Sequence, residues 1–297
     1  MLSLDPKELT IQRLHQLLLG AIGPRPIAFA STLDAQGNAN LAPFSFFNVF
    51  SANPPILVFS PARSGRTGQS KDTFNNAKVV PEVVVNVVNY NMVHQMSLAS
   101  SPYAPDVDEF VKAGFTALAS QKVAPFRVAE APVQFECKVQ QIIELGQEGG
   151  AGNLIICEVV QMHIHEDLLN ENGLIDQHKI DLVARMGGDW YCRANTESMF
   201  EIKKPISTCG IGYDALPQDI KNSQRLSAND LGQLAGIEEI PNETDVNEYK
   251  LLELSTLFLD LEHDANALEQ ALHQRAHELL AQNQLEEAWL TLLSFNN

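Results

Sequence analysis

Asn40-Leu41-Ala42-Pro43-Phe44-Ser45-Phe46-Phe47-Asn48 decides how this chain reads. Upstream stands Pro24-Arg25-Pro26-Ile27-Ala28-Phe29-Ala30-Ser31-Thr32, and Asp34-Ala35-Gln36-Gly37-Asn38 lies between the two. Two β-prone apolar runs around a Gly/Asn/Asp-rich connection predict a β-hairpin. Its second strand is unusual. Pro43 has no N–H to give to a ladder, which places it at a sheet edge or a bulge. Ala42 and Ser45 are small, so a flat ligand can approach the backbone and find amides and a hydroxyl to bond to.

Working outward, the periodicity stays β-like for most of the chain. Residues 56–59 and 83–88 are short apolar runs of the kind that fill core strands. Residues 133–145 and 154–165 are long β-prone runs joined by a Gly-rich turn. Helical segments are short: one from Asp5 to about Leu19, stopped at Gly20, and one after Asp72 or Thr73, running through Lys78. This order predicts an antiparallel β-barrel and argues against a doubly wound parallel sheet. Residues 201–248 read as an extended arm and connector. Beyond about Tyr249 the period turns helical, with Leu254, Leu257, Phe258 and Leu261 at i, i+3, i+4 and i+7. Asp264 is positioned to cap a helix carrying Leu268, Leu272 and Leu279, and Asn283 breaks it before the next apolar face at Leu285, Ala288, Trp289 and Leu292. The expected domains are therefore 1–200, a barrel with its N-terminal helix, then the connector, then an acidic helical extension over 249–297.

The 297 residues are 45% hydrophobic and carry a formal charge of -17. Residues 201–297 hold 17 acidic and 6 basic side chains, so the acidity is mostly C-terminal. A negative surface repels phosphate backbones and anionic lipid, which argues against nucleic-acid or membrane binding. Cys137, Cys157, Cys192 and Cys209 form no CxxC pattern. Their low count and irregular spacing fit reduced thiols and a cytoplasmic location. No signal-peptide pattern is read at the N-terminus, and no apolar run approaches the roughly 20 residues needed to span a bilayer. His163 and His165, at i and i+2, could share one strand face, but two candidates without a carboxylate pattern do not make a metal site. No Gly-x-Gly-x-x-Gly follows a strand, so no Rossmann-type nicotinamide domain is visible.

Pro24-Arg25-Pro26-Ile27 and the 40–45 segment together resemble the signature of the flavin reductase-like, FMN-binding split-barrel proteins. Lys71-Asp72-Thr73, the 83–88 strand, His178-Lys179-Ile180-Asp181 and Gly187-Gly188-Asp189-Trp190-Tyr191 follow in the matching order, so the resemblance spans about residues 20–195. It implies a split β-barrel that works as a homodimer and holds FMN, in preference to FAD, at the subunit interface. The phosphate anchor is then expected at Lys71, Asp72 and Thr73, where a helix start presents free N–H groups. Arg63 and Arg66 lie in the preceding loop. Ring contacts are expected from Asn40, Leu41, Ala42, Pro43, Phe44 and Ser45, with Thr32 and Ser60 at neighbouring strand ends. His178 and Tyr191 belong to a second constellation, and His178 either lines the pocket from the partner subunit or braces its own loop. No catalytic residue is required, because the flavin carries the redox chemistry.

The implied activity is an NAD(P)H-dependent flavin reductase, with NAD(P)H as a transient co-substrate. A flavoredoxin-like electron carrier without NAD(P)H activity, or a flavin-binding scaffold whose helical tail docks a partner, are the alternatives.

Overall fold

The structure is a computed structural model, and it describes residues 1–104, 107–202 and 204–296. The chain divides into two compact units, Met1–Phe200 and Glu201–Asn297.

The first unit begins with a 3-10 turn, Pro6–Glu8, and helix α1, Ile11–Ala21. The single helix expected from Asp5 is thus split in two. Thr10 starts α1 afresh by accepting a hydrogen bond from Arg13 N at 3.3 Å, and Gly20 lies inside the last turn without ending the helix. Strands β1 (Ala28–Leu33), β2 (Ala39–Phe44), β3 (Phe47–Ala52) and β4 (Pro55–Phe59) follow. Then come α2 (Asp72–Val79), β5 (Glu82–Val87), α3 (Val93–Leu98) and α4 (Glu109–Ala113). A small hairpin, β6 (Ala117–Leu118) and β7 (Arg127–Val128), precedes the long strands β8 (Val133–Glu144) and β9 (Asn153–Ile164). Helix α5 (Gln177–Ile180) and a last hairpin, β10 (Val183–Arg185) and β11 (Tyr191–Arg193), complete the unit.

Seven strands form one sheet in the order β2-β1-β5-β8-β9-β4-β3, and every pairing is antiparallel. The sheet closes on itself. One core cluster takes Ala28 and Ala30 from β1, Val83 and Val85 from β5, Cys137 from β8, Ile155 and Cys157 from β9, and Leu57 and Phe59 from β4. Phe44 and Phe59 stand on strands near opposite ends of the order, yet their rings are 5.6 Å apart. Only a curled sheet brings them together, with the split between the edge strands β2 and β3. The opposite face of β1 and β2 carries Phe29 and Leu41, which pack with Met96 of α3 and Phe110 of α4. Period-2 alternation supplies both cores from the same strands. Cys137 and Cys157 are fully buried, and burial pushes both thiols up, Cys157 to about 12, so neither is a nucleophile at neutral pH.

The Arg25 side chain, 6% exposed, joins elements far apart in the chain. Nη1 donates to Leu19 O at 2.8 Å and to Ile22 O, and Nη2 donates to Met186 O at 2.8 Å. A guanidinium thus satisfies carbonyls at the C-terminal end of α1 and fastens that end to the loop after β10. Close approach here also requires a glycine. A Cβ on Gly187 would lie 3.0 Å from the Gly20 Cα.

The second unit is helical: α6 (Gln218–Lys221), α7 (Ala228–Leu234), α8 (Glu243–Glu253), α9 (Ser255–Asp260), α10 (Ala265–Ala281) and α11 (Leu285–Leu293). The expected connector over 201–248 is therefore largely folded. Ser227 and Asp230 form a capping box that starts α7, and Leu216, Ile220, Leu231 and Leu234 join the core around Trp289. At the other end, Asp264 accepts from Ala267 N at 2.9 Å, and Asn283 takes a positive φ of 60 between α10 and α11.

Candidate functional site: the β1–β2 hairpin and the start of α2

The hairpin turn is built by its own side chains. Asp34 accepts from Gln36 N and Asn38 N, both at 2.8 Å, and Gly37 takes the positive φ of 85. That turn fixes the register Ala30↔Ala42 and Thr32↔Asn40. Asn40 then faces the start of α2. Its Nδ2 donates to Thr73 Oγ1 at 2.9 Å and to Thr32 Oγ1 at 3.3 Å, while Asn76 Nδ2 also donates to Thr32 Oγ1 at 3.2 Å. Three of the residues singled out in the sequence, Thr32, Asn40 and Thr73, are thus brought together as one buried network. Thr73 accepts from Asn40, which leaves its hydroxyl proton free to donate.

Lys71 occupies the N-cap position of α2 and makes no side-chain cap, contrary to the expectation that Asp72 or Thr73 would cap this helix. Its ammonium has no hydrogen bond or ion pair among the described residues. The amides of Asp72 and Thr73 have no hydrogen-bond acceptor among the described residues, whereas Phe74 N is already bonded to Lys71 O; two unsatisfied amides beside an unpaired cation favour an anion. Asp72 is exposed on the same turn. Arg63 is committed elsewhere: it donates to Glu144 Oε2 at 3.0 Å, Gln147 Oε1 at 3.1 Å and Ser70 Oγ at 3.0 Å.

On β2 the amides alternate between the ladder and the open edge. The N–H of Leu41 points outward and is taken by Glu109 Oε2 at 3.0 Å. Pro43 shares that outward parity, so its missing N–H costs the β1–β2 ladder nothing. Ala42 and Phe44 are partly buried, and Ser45, just past the strand, has a hydroxyl with no hydrogen-bond partner among the described residues. Sequence reasoning missed Glu109. It stands on α4, nearly seventy residues from β2, and no local pattern links the two. Burial holds the Glu109 carboxyl above the usual carboxylate range, the Leu41 N–H opposes that, and Asp108 and Asp72 add to it.

The remaining candidates lie in other surroundings. Ser60 Oγ accepts from Asn153 N at 3.0 Å, bracing the end of β4 against the start of β9. His178 is exposed on α5, where Asp176 caps the helix and the ring Nδ1 meets Thr196 Oγ1 at 3.2 Å. Tyr191 on β11 stacks under the Arg185 guanidinium, 4.6 Å from its ring centroid. No hydrogen bond or ring contact joins His178 or Tyr191 to β2 or α2 among the described residues. His163 is bonded to Glu136, and no group of three or more potential metal ligands converges among the described residues.

The start of α2 thus offers two helix amides and an unpaired ammonium, a donor set that suits an anion, and β2 carries small residues along its open edge. A family model for the flavin reductase like domain matches residues 21–181. An uncharacterized protein of Halalkalibacterium halodurans is 37% identical over 192 residues, covering 64% of this chain and 91% of that relative. Nitrilotriacetate monooxygenase component B from Bacillus cereus superposes with a TM-score of 0.64 at 32% identity, covering 68% of this chain and 98% of that one. A split-barrel-domain protein from Shewanella frigidimarina, at 23% identity and a TM-score of 0.57, shares the fold over 68% of this chain and all of its own. The curled seven-stranded sheet is thus a split barrel, and the chain belongs to the flavin reductase-like domain family.

Proposed function

We propose that this protein is an FMN-binding flavoprotein that accepts hydride from NAD(P)H and passes electrons to free flavin or another acceptor. The observation that carries the reading is the uncapped start of α2, with Lys71 unpaired beside the Asn40–Thr73–Thr32 network. Lys71 and the amides of Asp72 and Thr73 bind the phosphate. Ser45 and the small Ala42 accept the ring edge, and the rigid hairpin holds both halves in register. FMN supplies the redox chemistry, so no side chain has to act as general base.

Lys71→Ala should weaken FMN binding roughly tenfold to a hundredfold, the usual worth of a charge-assisted bond to phosphate. Riboflavin, which lacks the phosphate, should bind wild type and variant alike. Fluorescence titration of both ligands measures this, and unchanged FMN affinity would remove Lys71 from the site. NAD(P)H oxidation with and without added FMN tests the hydride step separately.

The reading includes a homodimer in which a second copy completes each site. No residue of α1 is buried, and Ile11, Leu18 and Ile22 are 63%, 52% and 63% exposed. The neighbouring edge strand β3 shows Val49 and Phe50, 63% and 68% exposed, at a bulge between Val49 and Ser51. His15 of α1 meets Phe46, just before β3, edge to face at 6.3 Å, so the two surfaces adjoin. Apolar area of this kind beside an open strand edge calls for a cover. Sedimentation should give a dimer with FMN bound, and a flavin-loaded monomer at micromolar concentration would refute this part.

A further inference from the structure

Glu109 makes none of the proposed phosphate or ring contacts, yet it stands beside them. Two hydrogen bonds from consecutive residues of β2 place it there. Asn40 Nδ2 donates to Thr73 Oγ1 at 2.9 Å, and Leu41 N donates to Glu109 Oε2 at 3.0 Å. The starts of α2 and α4 are thus fastened to neighbouring points of one strand, and the carboxylates of Glu109 and Asp72 come within electrostatic reach of each other. The bond to Leu41 also holds the edge itself. Pro43 has no N–H, so in the middle of β2 the outward amide of Leu41 is the point by which α4 grips the strand.

This carboxyl is short of positive neighbours. It is partly buried and forms no ion pair among the described residues. Its own helix brings Asp108 and Lys112, α2 brings Asp72 and Lys71, α3 brings His94, and β2 has no charged side chain. Lys112 lies over the ring of Tyr103, 6.0 Å from its centroid. Burial opposes the ionised form of Glu109, the Leu41 N–H favours it, and Asp108 and Asp72 oppose it again. A phosphate at the start of α2 would add about 1.5 to 2 negative charges on the Asp72 side. The bond to Leu41 needs only an acceptor on Oε2, so Oε1 is free to carry a proton without loosening β2.

On the reading that FMN phosphate sits at Lys71, we propose that Glu109 is the positioning residue that couples the site to protons: its carboxyl takes one proton from water as the phosphate binds, and Oε2 keeps Leu41 and the β2 edge in place. Affinity for FMN then falls as pH rises through the range in which the free carboxyl ionises.

The test is titration calorimetry of the full-length chain with FMN, in two buffers of different ionisation enthalpy, from about pH 5 to about pH 8. Wild type should take up more protons than Glu109→Gln, by a difference approaching one, and the titration of the phosphate itself cancels in that difference. At about pH 8 Glu109→Gln should bind FMN roughly threefold to tenfold tighter than wild type, and the two should converge towards pH 5. Riboflavin should show no difference in proton uptake between them. Glu109→Ala, which also removes the acceptor from Leu41 N, should weaken both ligands, and Glu109→Gln should restore them. Equal proton uptake by wild type and Glu109→Gln at every pH would overturn the proposal, as would equal FMN affinities at about pH 8. A proton difference seen with FMN but not riboflavin, together with unchanged FMN affinity in Lys71→Ala, would uphold Glu109 and fault the lysine anchor instead.

Discussion

Glu136→Ala should lower the stability of the first unit by about 3–5 kcal/mol at neutral pH, the cost of removing one side of a buried ionic network. Glu136 is fully buried on β8. Its Oε1 accepts from Gln121 N at 2.9 Å and meets His163 Nε2 at 2.7 Å, while Oε2 accepts from Lys122 N at 2.6 Å. Arg127 Nε lies 3.8 Å away. Alanine would leave the Gln121 and Lys122 amides without an acceptor. Glu136→Gln is the sharper test, because an amide NH₂ in either orientation must face an existing donor, costing about 1–3 kcal/mol.

The pH dependence follows from the same contacts. Burial alone raises the Glu136 carboxyl, but the Gln121 amide, His163 and the Lys122 amide outweigh it and hold it below the usual carboxylate range. The unfolded chain therefore takes up the proton first. The stabilisation is complete above about pH 4.3, the ordinary glutamate value, and is lost as pH falls from there through the folded-state value. Urea melts should show wild type and Glu136→Gln converging below about pH 4. Parallel acid limbs in the two proteins would show that this carboxylate does not carry the effect.

The hairpin was legible in the sequence because its determinants are local. Asp34 and Gly37 make their turn within five residues, and Pro43 announces an edge through its own missing N–H. Barrel closure was legible only as a class, through strand order and alternation. Glu109 on Leu41, Arg25 on Met186 and Glu136 on Gln121 were not legible, because each joins residues that chain order does not pair. Thr32, Asn40 and Thr73 were marked individually, yet their mutual bonding needed the register that places Asn40 opposite Thr32 and against α2. The helices within 201–248 are a different case. Ser227-x-x-Asp230 is a readable capping box, but the surrounding Gly and Pro residues hid it, and the apolar residues it orders find their partners some sixty residues later at Trp289.

That distant dependence gives the second large effect. Trp289→Ala should destabilise the second unit by about 3–5 kcal/mol, the usual cost of emptying a large aromatic site. Trp289 is fully buried among Leu216, Ile220, Leu231, Leu234 and Leu280, and its Nε1 donates to Leu234 O at 3.2 Å. A unit of this size is stable by only about 5–15 kcal/mol, so the loss is a large share of the total. Trp289→Phe keeps most of the packing and gives up the hydrogen bond, so it should cost much less. The same contacts mean that a chain cut near residue 247 would keep α6 and α7 while removing the Trp289 side of their core. If the two compact units unfold independently, calorimetry of Trp289→Ala should show one transition moved down and one unmoved, with FMN stabilising only the unmoved one. A single transition that shifts as a whole would mean that the helical unit and the barrel fold as one body.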